Sequence, residues 1–241
     1  MFNFFVNASQ IKEDKIYISG DDYNHIVNVL RMKKDDKIYV NNKDNSDSYL
    51  CNILKIENSE VICEIISKNE TNELPVKVYL FQGLPKFEKM ETIIQKCVEL
   101  GVSEITPVDM RFCVAKLNNQ KKIERWRTIS EVAAKQSKRN IIPKINELIS
   151  VRKLSEIISN FDLTIVAYEN EEKITLKNIL NQNKNINTIA IVVGPEGGLH
   201  EDEVKCLQDS GAKVASLGKR ILRTETAGPS IMSMITYEFE L

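Results

Sequence analysis

The chain has 241 residues, 42% hydrophobic and 28% charged, and its 33 Lys and Arg nearly cancel its 34 Asp and Glu for a formal net charge of −1. That length suits one large domain or two modest ones, and the apolar fraction permits a sizeable core, which excludes a disordered acidic chain. A uniformly basic coat for nucleic acid is excluded too, whereas a local basic footprint is not, because binding responds to the local field and not to the sum.

Met1 to Val6 is apolar but too short for a signal h-region and lacks a basic flank. No apolar run approaches the roughly 20 residues that span a bilayer, so a cytoplasmic protein is expected. Ser19 to Met32 reads as one short helix, capped by Ser19, with Tyr23, Ile26, Val27 and Leu30 at helical spacing. Phe4 to Val6, Ile16 to Ile18, Lys37 to Val40, Tyr49 to Ile56 and Val61 to Ile66 are rich in β-branched residues. Turn formers at Asn41 to Asp47 and at Asn58-Ser59 separate them, which predicts a small antiparallel β-barrel. The polar run Lys68 to Pro75 reads as a linker, dividing the chain into residues 1–70 and 71–241.

From Val76 onward strands and helices alternate. Strands are expected at Val76–Phe81, Ile105–Val108, Leu163–Tyr168, Thr188–Val193 and Val214–Leu217. Helices are expected at Lys86–Leu100, Gln120–Lys138, Leu154–Ser159, Ile174–Leu180, Glu201–Gly211 and Thr224–Phe239. In the first of these helices Met90, Ile93, Ile94, Cys97 and Val98 share a face, and Gly101 suits the position just past its end. The alternation implies an α/β fold with a mostly parallel sheet covered on both faces. Ligands of such sheets sit beyond the carboxyl ends of the strands, so chemistry is to be sought in the loops after Tyr168, Val193 and Leu217.

Five cysteines (Cys51, Cys63, Cys97, Cys113, Cys206) form no C-x-x-C pair, and His25 and His200 are the only histidines. Neither a disulfide framework nor a metal site is expected.

Gly194-Pro195-Glu196-Gly197-Gly198 lies between a strand and a helix, where glycines let backbone approach a ligand closely. It lacks the Gly-Lys-Ser/Thr of a P-loop and the spacing of a dinucleotide fingerprint. The helix it opens begins Glu201-Asp202-Glu203, which suits the helix dipole and repels phosphate. In the companion segment apolar Leu217, Ile221 and Leu222 stand beside Arg220 and Arg223, which suits an amphipathic ligand with an anionic partner. Taken singly, a tight turn and a solvated helix approach are the plainer readings.

Together, Gly194 to Leu199 and Leu217-Gly-Lys-Arg-Ile-Leu-Arg-Thr-Glu-Thr-Ala227 resemble the RsmE family of SPOUT methyltransferases. So do Gln82-Gly-Leu84 to Glu88-Lys-Met-Glu91, Ile94 to Pro107, Arg125-Trp126 with Ala133 to Arg139, and His25 to Arg31. The resemblance runs from Phe4 to near the C-terminus. It implies a small PUA-like β-barrel for RNA at residues 1–70 and an α/β methyltransferase domain with a trefoil knot at 71–241. It implies S-adenosylmethionine as cofactor and N3 of a uridine in 16S ribosomal RNA as target, within the small ribosomal subunit. A homodimer with the cofactor near the subunit interface is implied as well; a metal or a membrane is not.

By position, the cofactor loops are Ala167-Tyr168-Glu169, Gly194-Pro195-Glu196-Gly197-Gly198 and Leu217-Gly218 with Ile221-Leu222. Arg223 or Arg220 is the expected cation for an anionic uracil. Glu169, Glu196 or Glu225 is placed either to accept the uridine proton or to pair with those arginines and fix the loops. Between Arg111 and Arg139, nine basic residues (Arg111, Lys116, Lys121, Lys122, Arg125, Arg127, Lys135, Lys138, Arg139) face Glu124 and Glu131, nine minus two, or +7. Arg31, Arg111, Arg125, Lys135, Lys138 and Arg139 are the candidates for RNA contact, set against a solvated helix face. Trp126 stacks on a base or lies in the core, the latter being commoner for a single tryptophan.

The sequence departs from the family pattern at Asn3, where a basic residue is expected, at Asp35-Asp36, where Gly-Asp is usual, and at His200, where a hydroxyl would cap the helix. Two other readings stay open at this point: a related enzyme acting on another RNA or base atom, and a non-catalytic ribosome-assembly module that binds RNA. A Rossmann-type oxidoreductase lacks its fingerprint.

Overall fold

Alternation of apolar and polar residues along the N-terminal strands builds the first of two units. The computed structural model describes residues 1–86, 88–117 and 119–241, and it divides into Met1–Glu73 with Ala134–Ile142, and Leu74–Ala133 with Pro143–Leu241. The first unit holds β1 (Asn3–Val6), β2 (Ile11–Lys12), β3 (Lys15–Ile18), α1 (Gly20–Asn24), β4 (Lys37–Asn42), β5 (Ser48–Glu57) and β6 (Glu60–Lys68). Its curled sheet runs β1-β4-β5-β6-β3-β2. All pairs are antiparallel except β1 with β4, which is parallel. That pair departs from the antiparallel expectation, and the long path from β1 through a hairpin and a helix to β4 is what permits it. Val40, Ile38, Cys51, Ile53, Val61 and Cys63 point inward with Phe4, Ile16 and Ile18, and Ile26 packs against them. Burial pushes the Cys51 and Cys63 thiols up to about 12, which removes both as nucleophiles at neutral pH.

The helix expected over residues 19–32 is shorter and changes pitch. After α1 the chain forms a wide π turn over His25–Val29. Ser19 stands at the cap position without a side-chain capping bond, the chain entering the helix through Gly20 at φ +68. Asp35 sits at φ +71, a left-handed turn position that Asp tolerates better than most residues and that glycine would take without strain.

Ala134–Ile142 completes this unit through buried polar groups. The Glu73 carboxylate accepts from Arg139 Nε (3.1 and 3.3 Å), from Arg139 Nη2, and from the amides of Asn140 (2.9 Å) and Ile141 (3.2 Å). Asn3 Nδ2 donates to the Arg139 carbonyl at 3.0 Å and Asn41 Nδ2 to Asn3 Oδ1 at 2.6 Å. Asn3, departing from the family pattern, thus serves this network inside the unit. The linker expected at Lys68 to Pro75 is tied down at Glu73.

The second unit contains β7 (Lys77–Gly83), α2 (Lys89–Glu99), β8 (Glu104–Asp109), most of α3 (Gln120–Gln136), β9 (Lys144–Ile145), β10 (Ile149–Ser150) and α4 (Val151–Ile157). It continues with β11 (Leu163–Ala167), α5 (Leu176–Asn181), β12 (Thr188–Val193), α6 (Glu201–Asp209), β13 (Lys213–Ala215) and α7 (Thr224–Phe239). The helix expected from Lys86 starts at Lys89, and Phe87 lies outside the described residues. The sheet runs β10-β8-β7-β12-β11-β13 with β9 beside β8, and every pair is parallel. Ile189 to Val193 are buried without exception. Successive strand residues face opposite sides, so both faces of β12 are covered. On α2, Met90, Ile93, Ile94, Cys97 and Val98 are buried as their spacing predicts, and this helix packs on α7. Trp126 is 5% exposed, a core residue and not a stacking platform. Among the described residues no helix is long and apolar enough to cross a membrane.

Asp162 fastens the start of β11 to that of β12. One carboxylate oxygen accepts from the amides of Asn187 (2.8 Å) and Thr188 (2.9 Å) and from the Thr188 hydroxyl (3.0 Å). These bonds, the Asn187 amide first, hold its carboxyl below the ordinary 3.8. A depressed carboxyl stabilises the fold fully above its unfolded value, and the gain is lost as pH falls through the folded value. The urea midpoint of Asp162→Asn should therefore lie below the parent's at neutral pH, and the gap should close in acid. A gap that persists unchanged at the lowest pH counts against this role.

Candidate active site

Strands β13, β11 and β12 lie side by side, and the loops beyond their carboxyl ends enclose a cavity of about 420 Å³. That is the size range of sites for small organic ligands, roughly 300–1,000 Å³. Each wall is a loop held by identifiable bonds. After β11, the Glu171 carboxylate accepts from the amides of Lys173 (2.7 Å) and Ile174 (2.9 Å), turning the chain back. Ser216, past β13, then donates its amide to the Ile174 carbonyl at 2.8 Å and accepts from the Leu176 amide at 3.1 Å. After β12, the Gly198 amide donates to the Pro195 carbonyl at 3.0 Å. Gly198 adopts φ +74, and a Cβ there would strike the Glu169 carboxylate, while a Cβ on Gly194 would lie 2.9 Å from the Gly198 carbonyl carbon.

The third wall returns from the sheet edge at β13 to its centre. There Thr224 donates its hydroxyl to the Gly194 carbonyl at 2.7 Å and accepts from Gln82 Nε2 at 2.8 Å. Gln82 is fully buried at the end of β7, and its Oε1 has no hydrogen-bond partner among the described residues. Three segments distant in sequence thereby meet at one carbonyl.

One cation bridges two walls. Lys89 Nζ lies 3.1 Å from Glu196 on the glycine loop and 3.3 Å from Glu225 on the first turn of α7. Burial opposes ionisation of Glu196, but the Lys86 amide, its own amide and the Lys89 ammonium outweigh burial and hold its carboxyl below the usual value. Hydrogen bonding to Glu196 raises Lys89 above its ordinary value, with Glu225 adding to the effect. Lys89 is also the first residue of α2, where the helix dipole disfavours a cation by about 0.3–1 kcal/mol. The side chain is placed against local preference and lines the cavity.

The residues singled out from the sequence gather here with one exception. Ala167, Tyr168, Glu169, Gly194, Pro195, Glu196, Gly198, Leu217, Gly218, Ile221 and Leu222 line the cavity, as do Arg220, Arg223 and Glu225. Gly197 does not; it faces Phe112, whose Cβ would lie 2.8 Å from a Cβ at that glycine. Arg220 and Arg223 are exposed and have no ion-pair partner among the described residues. Sequence reading passed over Lys89, Gln82 and Thr224 as site residues. The available signals were a glutamine ending an apolar strand and a lysine opening a helix.

His200 caps α6 after all. Its Nδ1 accepts from the Asp202 amide at 3.2 Å while Glu203 accepts from the His200 amide at 3.1 Å. The imidazole thus caps the helix in place of the expected hydroxyl, and it does not line the cavity. Of the RNA candidates, Arg31 and Lys138 are exposed. Arg111 lies 3.3 Å from Asp202, Arg125 2.7 Å from Glu91 and Lys135 2.8 Å from Asp22, the first two on the surface. Arg139 is 4% exposed and its guanidinium is spent on Glu73, which takes it out of reach of a phosphate. Lys116 and Arg127 pair with Asp109 and Glu147. Acids from outside the basic run thus neutralise much of its +7.

Residues 72–236 match the RNA methyltransferase domain family, and residues 18–66 match the RNA methyltransferase PUA domain. The ribosomal RNA small subunit methyltransferase E of Bacillus subtilis is 38% identical over 252 aligned positions, covering 100% of this chain and 98% of its own. That of Mesomycoplasma hyopneumoniae is 37% identical, covering 94% and 95%. A crystal structure of a ribosomal RNA small subunit methyltransferase E from Neisseria gonorrhoeae bound to S-adenosyl methionine superposes with a TM-score of 0.87 at 27% identity, over 98% of this chain and 97% of that one.

Proposed function

The chain belongs to the RNA methyltransferase family that includes the ribosomal RNA small subunit methyltransferases E, and on that premise we propose that it methylates N3 of a uridine in 16S ribosomal RNA with S-adenosylmethionine. The fold is of the SPOUT type, a parallel α/β sheet preceded by a PUA-like unit. The observation that carries the proposal is the three-loop cavity at the ends of β11, β12 and β13.

The residues present fit that cofactor. Val193, Leu217 and Leu222 offer apolar wall to an adenine, and Gly194, Gly198 and Gly218 put no side chain between their backbone and a ligand. Bound there, the cofactor supplies an electrophilic methyl group. The protein's part is to align the base, which is worth roughly 7–11 kcal/mol in favourable cases, and to make its nitrogen nucleophilic. Uridine N3 carries a proton whose loss leaves charge on the uracil oxygens. Arg223 and Arg220, which line the cavity and have no ion-pair partner among the described residues, are the cations we assign to stabilise that charge. Glu225 or Glu169, both lining the cavity, is the group we assign to take the proton. Access requires the uridine to be splayed from its neighbours. Gly198→Ala should weaken cofactor binding at least about tenfold, because φ +74 and the Glu169 carboxylate both oppose a Cβ; calorimetry checks it, and parent-like affinity would count against the cradle.

Arg31 and Lys138 in the first unit are the RNA contacts we favour. We further propose that the enzyme works in the cytoplasm on the small subunit and that it is a homodimer; the exposure of Met234 and Tyr237 on α7, 42% and 72%, supports the dimer alone. Incubating the protein with isotope-labelled S-adenosylmethionine and small-subunit RNA, then digesting to nucleosides for mass spectrometry, tests the activity. Labelled 3-methyluridine is expected; a different methylated nucleoside overturns the assignment.

A further inference from the structure

Lys89 reaches two walls of the cavity that otherwise meet at the Gly194 carbonyl, through Thr224 and Gln82, and adds a charged link between them. Glu196 belongs to the loop after β12 and Glu225 to the start of α7, 29 positions further along the chain by their numbers, and the ammonium of a third element touches both. Glu196 is additionally held by the Lys86 amide at 3.0 Å, three positions ahead of Lys89, so the bridge is made beside a second contact from the same stretch of chain. All three side chains are partly enclosed, 33%, 26% and 21% exposed. Without the ammonium two carboxylates would share one small space with no cation between them, and like charges so placed disfavour each other's ionised form.

We propose that Lys89 is a positioning residue for the cofactor, locking the glycine loop and the first turn of α7 into one binding surface. The proposal rests on the methyltransferase reading above. It makes the affinity for S-adenosylmethionine depend on a charge bridge and not on the mere presence of a long side chain. Arginine at this position keeps a cation with donors enough for both carboxylates, whereas methionine keeps the length and loses the charge. In the methionine variant, neutralising one carboxylate relieves the repulsion.

The test is a calorimetric titration of S-adenosylmethionine into the full chain and its variants, each checked by thermal melting. Lys89→Met should weaken binding about tenfold, Lys89→Arg should stay near the parent, and the double variant Lys89→Met with Glu196→Gln should bind better than Lys89→Met alone. A purely structural lysine predicts the opposite order for the double variant, which would carry two lesions. Parent-like affinity for Lys89→Met, or a double variant weaker than the single, overturns the proposal. If Lys89→Met fails to fold, Glu196→Gln and Glu225→Gln on the parent decide: each alone should cost nearly as much as both together, and additive losses refute the bridge. A parent that binds no S-adenosylmethionine overturns the methyltransferase reading itself, and the bridge with it.

Discussion

Arg223→Ala is expected to lower the rate of methyl transfer by about 10²–10³-fold, the usual cost of removing one group that stabilises developing negative charge. S-adenosylmethionine binding should persist, because Arg223 stands exposed at the rim with no partner among the described residues, and the cavity walls are held by other bonds. The two readouts separate a group that acts on the uracil from one that shapes the cofactor pocket. Single-turnover methylation at saturating cofactor measures the first and calorimetry the second. Unchanged turnover removes Arg223 from the chemistry and leaves Arg220 as the cation; a parallel loss of affinity makes it part of the cofactor wall.

Arg139→Ala should destabilise the first unit by about 3–5 kcal/mol, the cost of breaking a buried pair by removing one partner. The guanidinium is 5% exposed in its side chain and meets a Glu73 carboxylate that is itself only 17% exposed. Removing the arginine leaves that carboxylate with the Asn140 and Ile141 amides alone. Substituting both partners with apolar residues, Glu73→Leu with Arg139→Met, should recover much of the loss, because it removes the stranded charge as well. Urea unfolding of the full chain followed by far-ultraviolet circular dichroism reads both variants. A loss below about 1 kcal/mol, the ordinary worth of an exposed pair, would show that the clasp is open in solution. The expectation also bears on RNA binding. Arg139 falls in the basic run that suggested a footprint, so a variant that binds RNA poorly must first be shown to be folded.

The elements were legible where their signal is local. Thr188–Val193 is a strand with the bounds its apolar run predicts, and the buried face of α2 is the set of residues its spacing marks. The two-residue strands β2, β9 and β10 were not, since two residues carry no period. The loops that line the cavity were legible for a related reason: each is a contiguous motif at a strand end, and the topology of a parallel sheet brings strand ends together without further information. Gly197 faces Phe112 and not the cavity, a detail the motif did not carry, because a motif names a loop but not which of its residues turns inward.

By itself, then, the sequence determined the alternating architecture, the three loops and the family, all of which are read within short windows of hydrophobic period and turn chemistry. Only the tertiary structure decided which charges are available and which are spent. Arg139 and Glu73 lie 66 positions apart, as do Arg139 and Asn3 by 136 and Lys89 and Glu196 by their places on separate elements. A net charge of −1, resolved first into a +7 run, resolves again into ion pairs with distant acids and a few uncommitted cations at the cavity rim. Charge is a property of a place in space, and chain position fixes that place only after the core has packed.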